Sequence, residues 1–310
     1  MTLLHPEMAK AMAENATPAV DLMALPVEEG RAAYETRWQP WNANPPQMLE
    51  SRDLALPRRG DSAIAARFHK PSAGASGLVV YIHGGGWRFG SPASHEHLAR
   101  LLAMETDAHV LAIDYRLAPE HPFPAPCDDV LDAIHAAETG QCPGLRKPAI
   151  ALAGDSAGAA LALSALLLRR EAALPPLRGA ALFYGCYARD YETGSYRRFG
   201  DGQFGLSRAR MEQYWRDYLG PNDARPPFGA VPGKADLGGL PPLFLHATGL
   251  DVLLDDTLAL SLRLAESGAR FHVDVEPGLI HGHLQMAPRL GPARRVVRTA
   301  AHFLREALDT

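Results

Sequence analysis

The feature that most constrains this 310-residue chain is an abrupt junction at Gly154-Asp155-Ser156-Ala157-Gly158. An apolar run, Ala149 to Ala153, enters it, and an alanine-rich run, Ala157 to Arg170, leaves it. The first reads as a buried strand and the second as a helix. A serine between them, flanked by glycines two residues away on each side, fits the G-x-S-x-G turn called a nucleophile elbow. Small neighbours are needed there because the backbone is strained and the following helix packs closely on the sheet. The turn lifts the hydroxyl above the strand ends, and the helix N-terminus aims N–H groups at developing negative charge. Ser156 is therefore the candidate nucleophile.

A fold that offers such a turn needs parallel strands, and the rest of the chain supplies them. Strands are expected at Asp53 to Leu56 and Ile64 to Phe68, around a turn at Arg59-Gly60-Asp61. More follow at Leu78 to Ile82, Val110 to Ile113, Ala149 to Ala153, Gly179 to Tyr184, Leu243 to Ala247 and Phe271 to Val275. Helices are expected at Asp128 to Ala137, Ala157 to Arg170, Asp255 to Glu266 and Pro292 to Ala307. This alternation predicts an α/β protein with a mostly parallel eight-stranded sheet covered by helices on both faces. Residues 1–48 read as helical, and 187–240 hold no strand, only a helix near Ser207 to Tyr218. A long insertion in a compact domain points to a lid. The expected organisation is a catalytic domain over 49–310, with 1–48 and 187–240 forming a helical cap.

Composition narrows the partners. The net charge of -4 and the absence of a Lys/Arg run argue against nucleic acid or anionic lipid. No stretch of 18 apolar residues exists, so no transmembrane helix is expected. The start, Met1-Thr2-Leu3-Leu4-His5, does not read as a secretory signal. Cys127, Cys142 and Cys186 lack metal-ligand spacing and read as reduced thiols of a cytoplasmic protein. No metal or organic cofactor is expected.

Serine chemistry needs further parts. His83-Gly84-Gly85-Gly86-Trp87 follows the strand ending at Ile82. A glycine run there lets backbone N–H groups face the oxyanion of a tetrahedral intermediate. A base must take the serine proton, and an acid must orient the base. In chain order the acid should follow Leu243 to Ala247, which gives Asp251, with Asp255 and Asp256 better suited as helix caps. The base should follow the last strand. His281 fits, between an apolar pair and Gly282, ahead of the rival His283.

Together these segments resemble the bacterial hormone-sensitive-lipase-like esterases of the α/β-hydrolase fold. His83 to Gly86 matches that family's HGGG, Gly154 to Gly158 its GDSAG, and Asp114-Tyr115-Arg116-Leu117-Ala118-Pro119-Glu120 a further signature that should brace the oxyanion loop. The resemblance implies a triad of Ser156, Asp251 and His281, and an oxyanion hole from the N–H groups of Gly85, Gly86 and Ala157. Two positions depart from the pattern. Val252 stands where proline usually follows the aspartate, and His283 where phenylalanine is usual. The expected activity is hydrolysis of short-chain carboxylic esters. Pocket candidates are Trp87 and Phe89 beside the oxyanion loop, Tyr187, Phe204, Leu206, Tyr214 and Trp215 in the insertion, and Trp38 and Trp41 in the N-terminal part. The partner is then a small-molecule ester, and the resemblance suggests a homodimer. The same triad serves lactones, amides and acyl transfer. A receptor on this fold that has lost the catalytic histidine is the reading of another class, and His281 speaks against it.

Overall fold

The computed structural model describes residues 3–14, 20–60 and 62–310. Met1, Thr2 and the Asp61 of the expected turn lie outside them. After α1 (Pro6–Glu14) and α2 (Val27–Trp38), an antiparallel pair forms from β1 (Glu50–Pro57) and β2 (Ala63–Lys70). The alternating part follows: β3 (Leu78–Ile82), α3 (Glu96–Thr106), β4 (His109–Asp114), α4 (Ala125–Glu138), β5 (Ile150–Asp155), α5 (Ala157–Glu171) and β6 (Ala180–Phe183). An insertion carries α6 (Gly194–Phe199) and α7 (Arg208–Leu219). The chain returns through β7 (Leu243–Leu250), α8 (Leu254–Glu266), β8 (Phe271–Ile280) and α9 (Gly291–Asp309).

The described residues form one eight-stranded sheet in the order β1-β2-β4-β3-β5-β6-β7-β8, parallel from β4 to β8. Burial explains which strand sits where. Every residue of β3 and β5 is buried, as central parallel strands covered on both faces require, whereas β1 and β2 alternate. Helix α9 buries Ala293, Val296, Val297, Ala300, Ala301 and Leu304, one face of a 3.6-residue period, and leaves its arginines outside. The strands and helices expected from the sequence are present with ends shifted by a few residues. Helix α3 is an addition; its Leu98, Leu101 and Leu102 carry the helical spacing that reveals it.

The two helices of the N-terminal candidate cap segment dock differently. Near α1, His5 donates its N–H to the Gly278 carbonyl at 2.9 Å, and the Glu7 carboxylate accepts from Gly291 N–H at 2.7 Å. That places α1 beside β8 and α9. Helix α2 instead reaches the loop after β3: Arg31 donates to the carbonyls of Arg88 and Ala118 and pairs with both oxygens of Glu120. No helix among the described residues is long and apolar enough to cross a membrane.

Helix α5 lies so close to β3 that a Cβ on Gly158 would fall on the Ile82 carbonyl oxygen and within 2.7 Å of that of His83. Backbone on both sides leaves no room to yield. Gly158→Ala is expected to destabilise the fold by about 1–3 kcal/mol or more. A lowered thermal midpoint or loss of soluble protein would register it; an unchanged midpoint would contradict this packing.

Candidate active site

The carboxyl ends of the parallel strands carry the chemistry-bearing residues, where open α/β sheets bind ligands. Strands β7 and β8 run in register to Thr248 and Glu276, shift through a bulge, and pair again at Leu250 and Ile280. Asp251 and His281 are the next residue on each strand, so the restored register brings them side by side. Gly249 sits in the bulge, where a Cβ would come within 2.9 Å of the Pro277 Cα. The Asp251 carboxylate is buried and fully engaged. It accepts from Leu253 N–H at 3.0 Å and the Thr248 hydroxyl at 3.1 Å, and His281 Nδ1 donates to it at 2.7 Å.

With Nδ1 protonated toward Asp251, Nε2 of His281 carries a lone pair. It accepts from Ser156 Oγ at 2.8 Å. Ser156 holds φ 54° and ψ -119°, a backbone conformation costly for a residue with a side chain. Its N–H donates to the Phe183 carbonyl at 2.8 Å, which ties the strained turn to the next strand. The serine is 8% exposed and the His281 side chain 15%.

The glycine loop after β3 is held from below. Asp155, one residue before the serine, accepts from Gly84 N–H at 2.9 Å and the Tyr81 hydroxyl at 2.7 Å. Burial alone would raise its carboxyl, but neighbouring His95 and the Tyr81 hydrogen bond keep it below the usual range. Gly85 and Gly86 have φ of 121° and 63°. Among the described residues nothing accepts from the N–H groups of Gly85 and Gly86, nor from that of Ala157, which opens α5. The N–H of Gly84, in contrast, is engaged by Asp155. His83 is buried, and burial with nearby His95 pushes its imidazole down to about 3. Its ring stacks on Tyr115 at 4.3 Å, and the Tyr115 hydroxyl donates to the His83 carbonyl at 2.9 Å. Ala118 N–H donates to the Trp87 carbonyl at 2.8 Å. The segment from Asp114 to Glu120 thus braces the glycine loop.

The aromatic candidates divide by burial. Trp87, Trp215, Tyr187 and Trp41 belong to the core. Trp87 stacks on Tyr218 at 4.1 Å and meets Trp215 at 4.7 Å, while Tyr187 packs on Gly185 and Gly233. Trp41 lies against the Arg289 guanidinium, which stands 5.1 Å from its ring centre. Phe89 is buried between Tyr34, stacked at 5.6 Å, and Tyr214, edge-on at 6.2 Å. Trp38, Phe204, Leu206 and Tyr214 are partly buried against the core. Tyr214 is the one brought onto the glycine loop: a Cβ on Gly86 would lie 2.6 Å from three atoms of its ring. Two surface grooves, of about 460 and 420 Å³, include neither Ser156 nor His281. Among the described residues no group of three or more His, Cys, Asp or Glu is disposed to hold a metal ion.

Sheet order, the strained serine turn and the chain order Ser156, Asp251, His281 together define the α/β-hydrolase class. The chain belongs to that family: a model described as alpha/beta hydrolase fold matches residues 79–285. Carboxylesterase NlhH of Mycobacterium tuberculosis strain H37Rv is 32% identical over 293 residues, covering 91% of this chain and 90% of the relative. An acetyl-hydrolase of Streptomyces hygroscopicus is 35% identical over 243 residues, 78% and 80% of the two chains. Among solved structures, a hyperthermophilic esterase from the archaeon Pyrobaculum calidifontis matches with a TM-score of 0.88 at 30% identity, over 99% of each chain. The resemblance to hormone-sensitive-lipase-like esterases stands with these relatives.

The acidic pair after Asp251 has a different place from the one expected. Asp255 and Asp256 lie in the first turn of α8, but neither side chain caps that helix. Asp255 accepts from Ser195 N–H at 2.8 Å, and Asp256 from the N–H groups of Tyr187 and Ala188, each at 2.9 Å. They hold the insertion against the loop of Asp251, a long-range role that sequence spacing does not reveal. Burial pushes the Asp256 carboxyl up to about 7, against the lowering effect of its two backbone donors. A raised carboxyl binds its proton more tightly folded than unfolded, so its contribution to stability falls as pH rises from about 4 to about 7. Asp256→Asn keeps an acceptor oxygen and removes the titration. The thermal midpoint of wild type should therefore drop more between pH 5 and 8 than that of the variant; parallel profiles would contradict it.

Proposed function

We propose that the protein is a carboxylesterase that works through an acyl-enzyme on Ser156. The observation that carries this reading is the unbroken hydrogen-bonded chain from Ser156 Oγ through His281 to Asp251. Ser156 attacks the ester carbonyl as His281 Nε2 takes its proton. Asp251 keeps the imidazole in the Nδ1–H tautomer and stabilises the imidazolium. The N–H groups of Gly85, Gly86 and Ala157 receive the oxyanion, each such donor contributing about 3 kcal/mol to the transition state. His281 then protonates the leaving alcohol, and water cleaves the acyl-enzyme by the reverse steps. The names of the relatives, carboxylesterase and acetyl-hydrolase, support ester hydrolysis.

Short acyl chains fit best, because the Tyr214 ring lies on Gly86 and closes the space beside the oxyanion loop. In this reading residues 1–48 and 187–240 act as the cap. The substrate is a small-molecule ester, with neither nucleic acid nor membrane as partner. The protein works in the cytoplasm, where its three buried free cysteines stay reduced. The family resemblance supports a homodimer.

Hydrolysis of p-nitrophenyl esters from acetate to laurate tests the reading. Wild type should turn over short esters best. Ser156→Ala should lower kcat by at least about a thousandfold. Tyr214→Ala should move the optimum toward longer chains without abolishing acetate hydrolysis. A wild-type optimum at C12 would overturn the short-chain reading, and an active Ser156→Ala would overturn the nucleophile.

A further inference from the structure

His283, the residue that departs from the family pattern, lies two positions beyond the candidate base and is fully buried. Its Nδ1 is 3.1 Å from the carbonyl oxygen of Ile280. A carbonyl can only accept, so Nδ1 carries the proton and Nε2 the lone pair. That hydrogen bond joins the residue before His281 to the second residue after it. Gly282, between them, turns the chain with φ 77°. Beyond the loop, Gln285 N–H donates to the Gly282 carbonyl at 3.2 Å, and the Gln285 side chain meets His95. The His283 ring also packs on Tyr184 at 5.3 Å and His246 at 5.1 Å, and Tyr184 meets His281 edge-on at 4.9 Å. Burial and the neighbouring His246 hold the His283 imidazole well below its usual range, so it stays neutral beside a His281 that must become charged.

We propose that His283 is a positioning residue: its Nδ1–H, donated to the Ile280 carbonyl, closes the loop that carries His281 and fixes that imidazole in its approach to Ser156 Oγ. The inference rests on the esterase reading above. Phenylalanine at this position would keep the ring contacts and lose the hydrogen bond. His283 therefore adds a restraint that the usual family residue cannot supply. A small displacement of a catalytic base is costly, since an error of about 1 Å can slow a reaction on the order of a hundredfold.

Three variants separate the bond from the ring. His283→Asn places an amide N–H where Nδ1 sits and keeps the bond without the ring. His283→Phe keeps the ring without the bond. His283→Gln reaches toward the Nε2 position and keeps neither. Each is measured with p-nitrophenyl acetate for kcat and KM, beside Ser156→Ala and the unfolding midpoint of every variant. The expected result is a fall in kcat of about tenfold to a hundredfold for Phe and Gln, with KM within about twofold, and an Asn variant within about threefold of wild type. Should Phe fail to fold, Asn against Gln decides alone. Phe active and Asn impaired would assign the effect to ring packing and overturn the proposal, as would wild-type kcat in both Phe and Gln. If Ser156→Ala is inactive while these variants behave as wild type, the esterase reading stands and only this inference falls. An active Ser156→Ala would remove the reading and the inference together.

Discussion

The site depends on a register. Strands β7 and β8 pair again at Leu250 and Ile280 after a bulge, and everything that follows hangs on that pairing. Without that two-residue offset, Asp251 would stand opposite Leu279 instead of His281, and the carboxylate and imidazole would not meet. The bulge has room because Gly249 lacks a Cβ where Pro277 crosses it. Once the two residues are adjacent, Thr248 and Leu253 lock the carboxylate and the carboxylate locks the imidazole. The third partner arrives from elsewhere in the sheet by the same logic. Asp155 pairs with Phe183, and Ser156 is the next residue.

Strain enters where the serine leaves the sheet, and packing maintains it. The backbone of Ser156 would relax if α5 could withdraw, but Gly158 is pressed onto the carbonyls of β3 and the serine N–H is tied to β6. Below the turn, one carboxylate links the serine turn to the glycine loop. Asp155 takes the Gly84 N–H, which leaves the next two glycines free to present theirs. A single buried acid thus coordinates two loops that are distant in sequence.

Much of this was legible in the sequence because it is local. The all-apolar runs of β3 and β5, the small residues around Ser156 and the glycines after His83 each impose their conformation on their own neighbourhood. The elimination that favoured Asp251 over Asp255 and Asp256 relied on strand-end position, and the geometry puts Asp251 beside His281. What the sequence withheld is the direction of side chains across long separations. Trp87, Trp215, Tyr187 and Trp41 carry the right chemistry for a pocket wall, yet their rings pack in the core. Asp256 looked like a local cap and instead reaches Tyr187 and Ala188. The surroundings of His283 come from β6 and β7, so no spacing rule around residue 283 could have disclosed them.

The glycine loop is moored to the insertion as much as to the sheet. Immediately after Gly86, Trp87 is clasped by Trp215 and Tyr218, and the Arg88 guanidinium donates to Asp217 at 2.6 Å. All three partners lie on α7. The insertion is therefore no detachable cassette: transplanting α7 from a relative would replace the residues that hold the segment after Gly86. Point substitutions on α7 that spare Trp215, Asp217 and Tyr218 leave that mooring in place, whereas exchange of the whole segment replaces it.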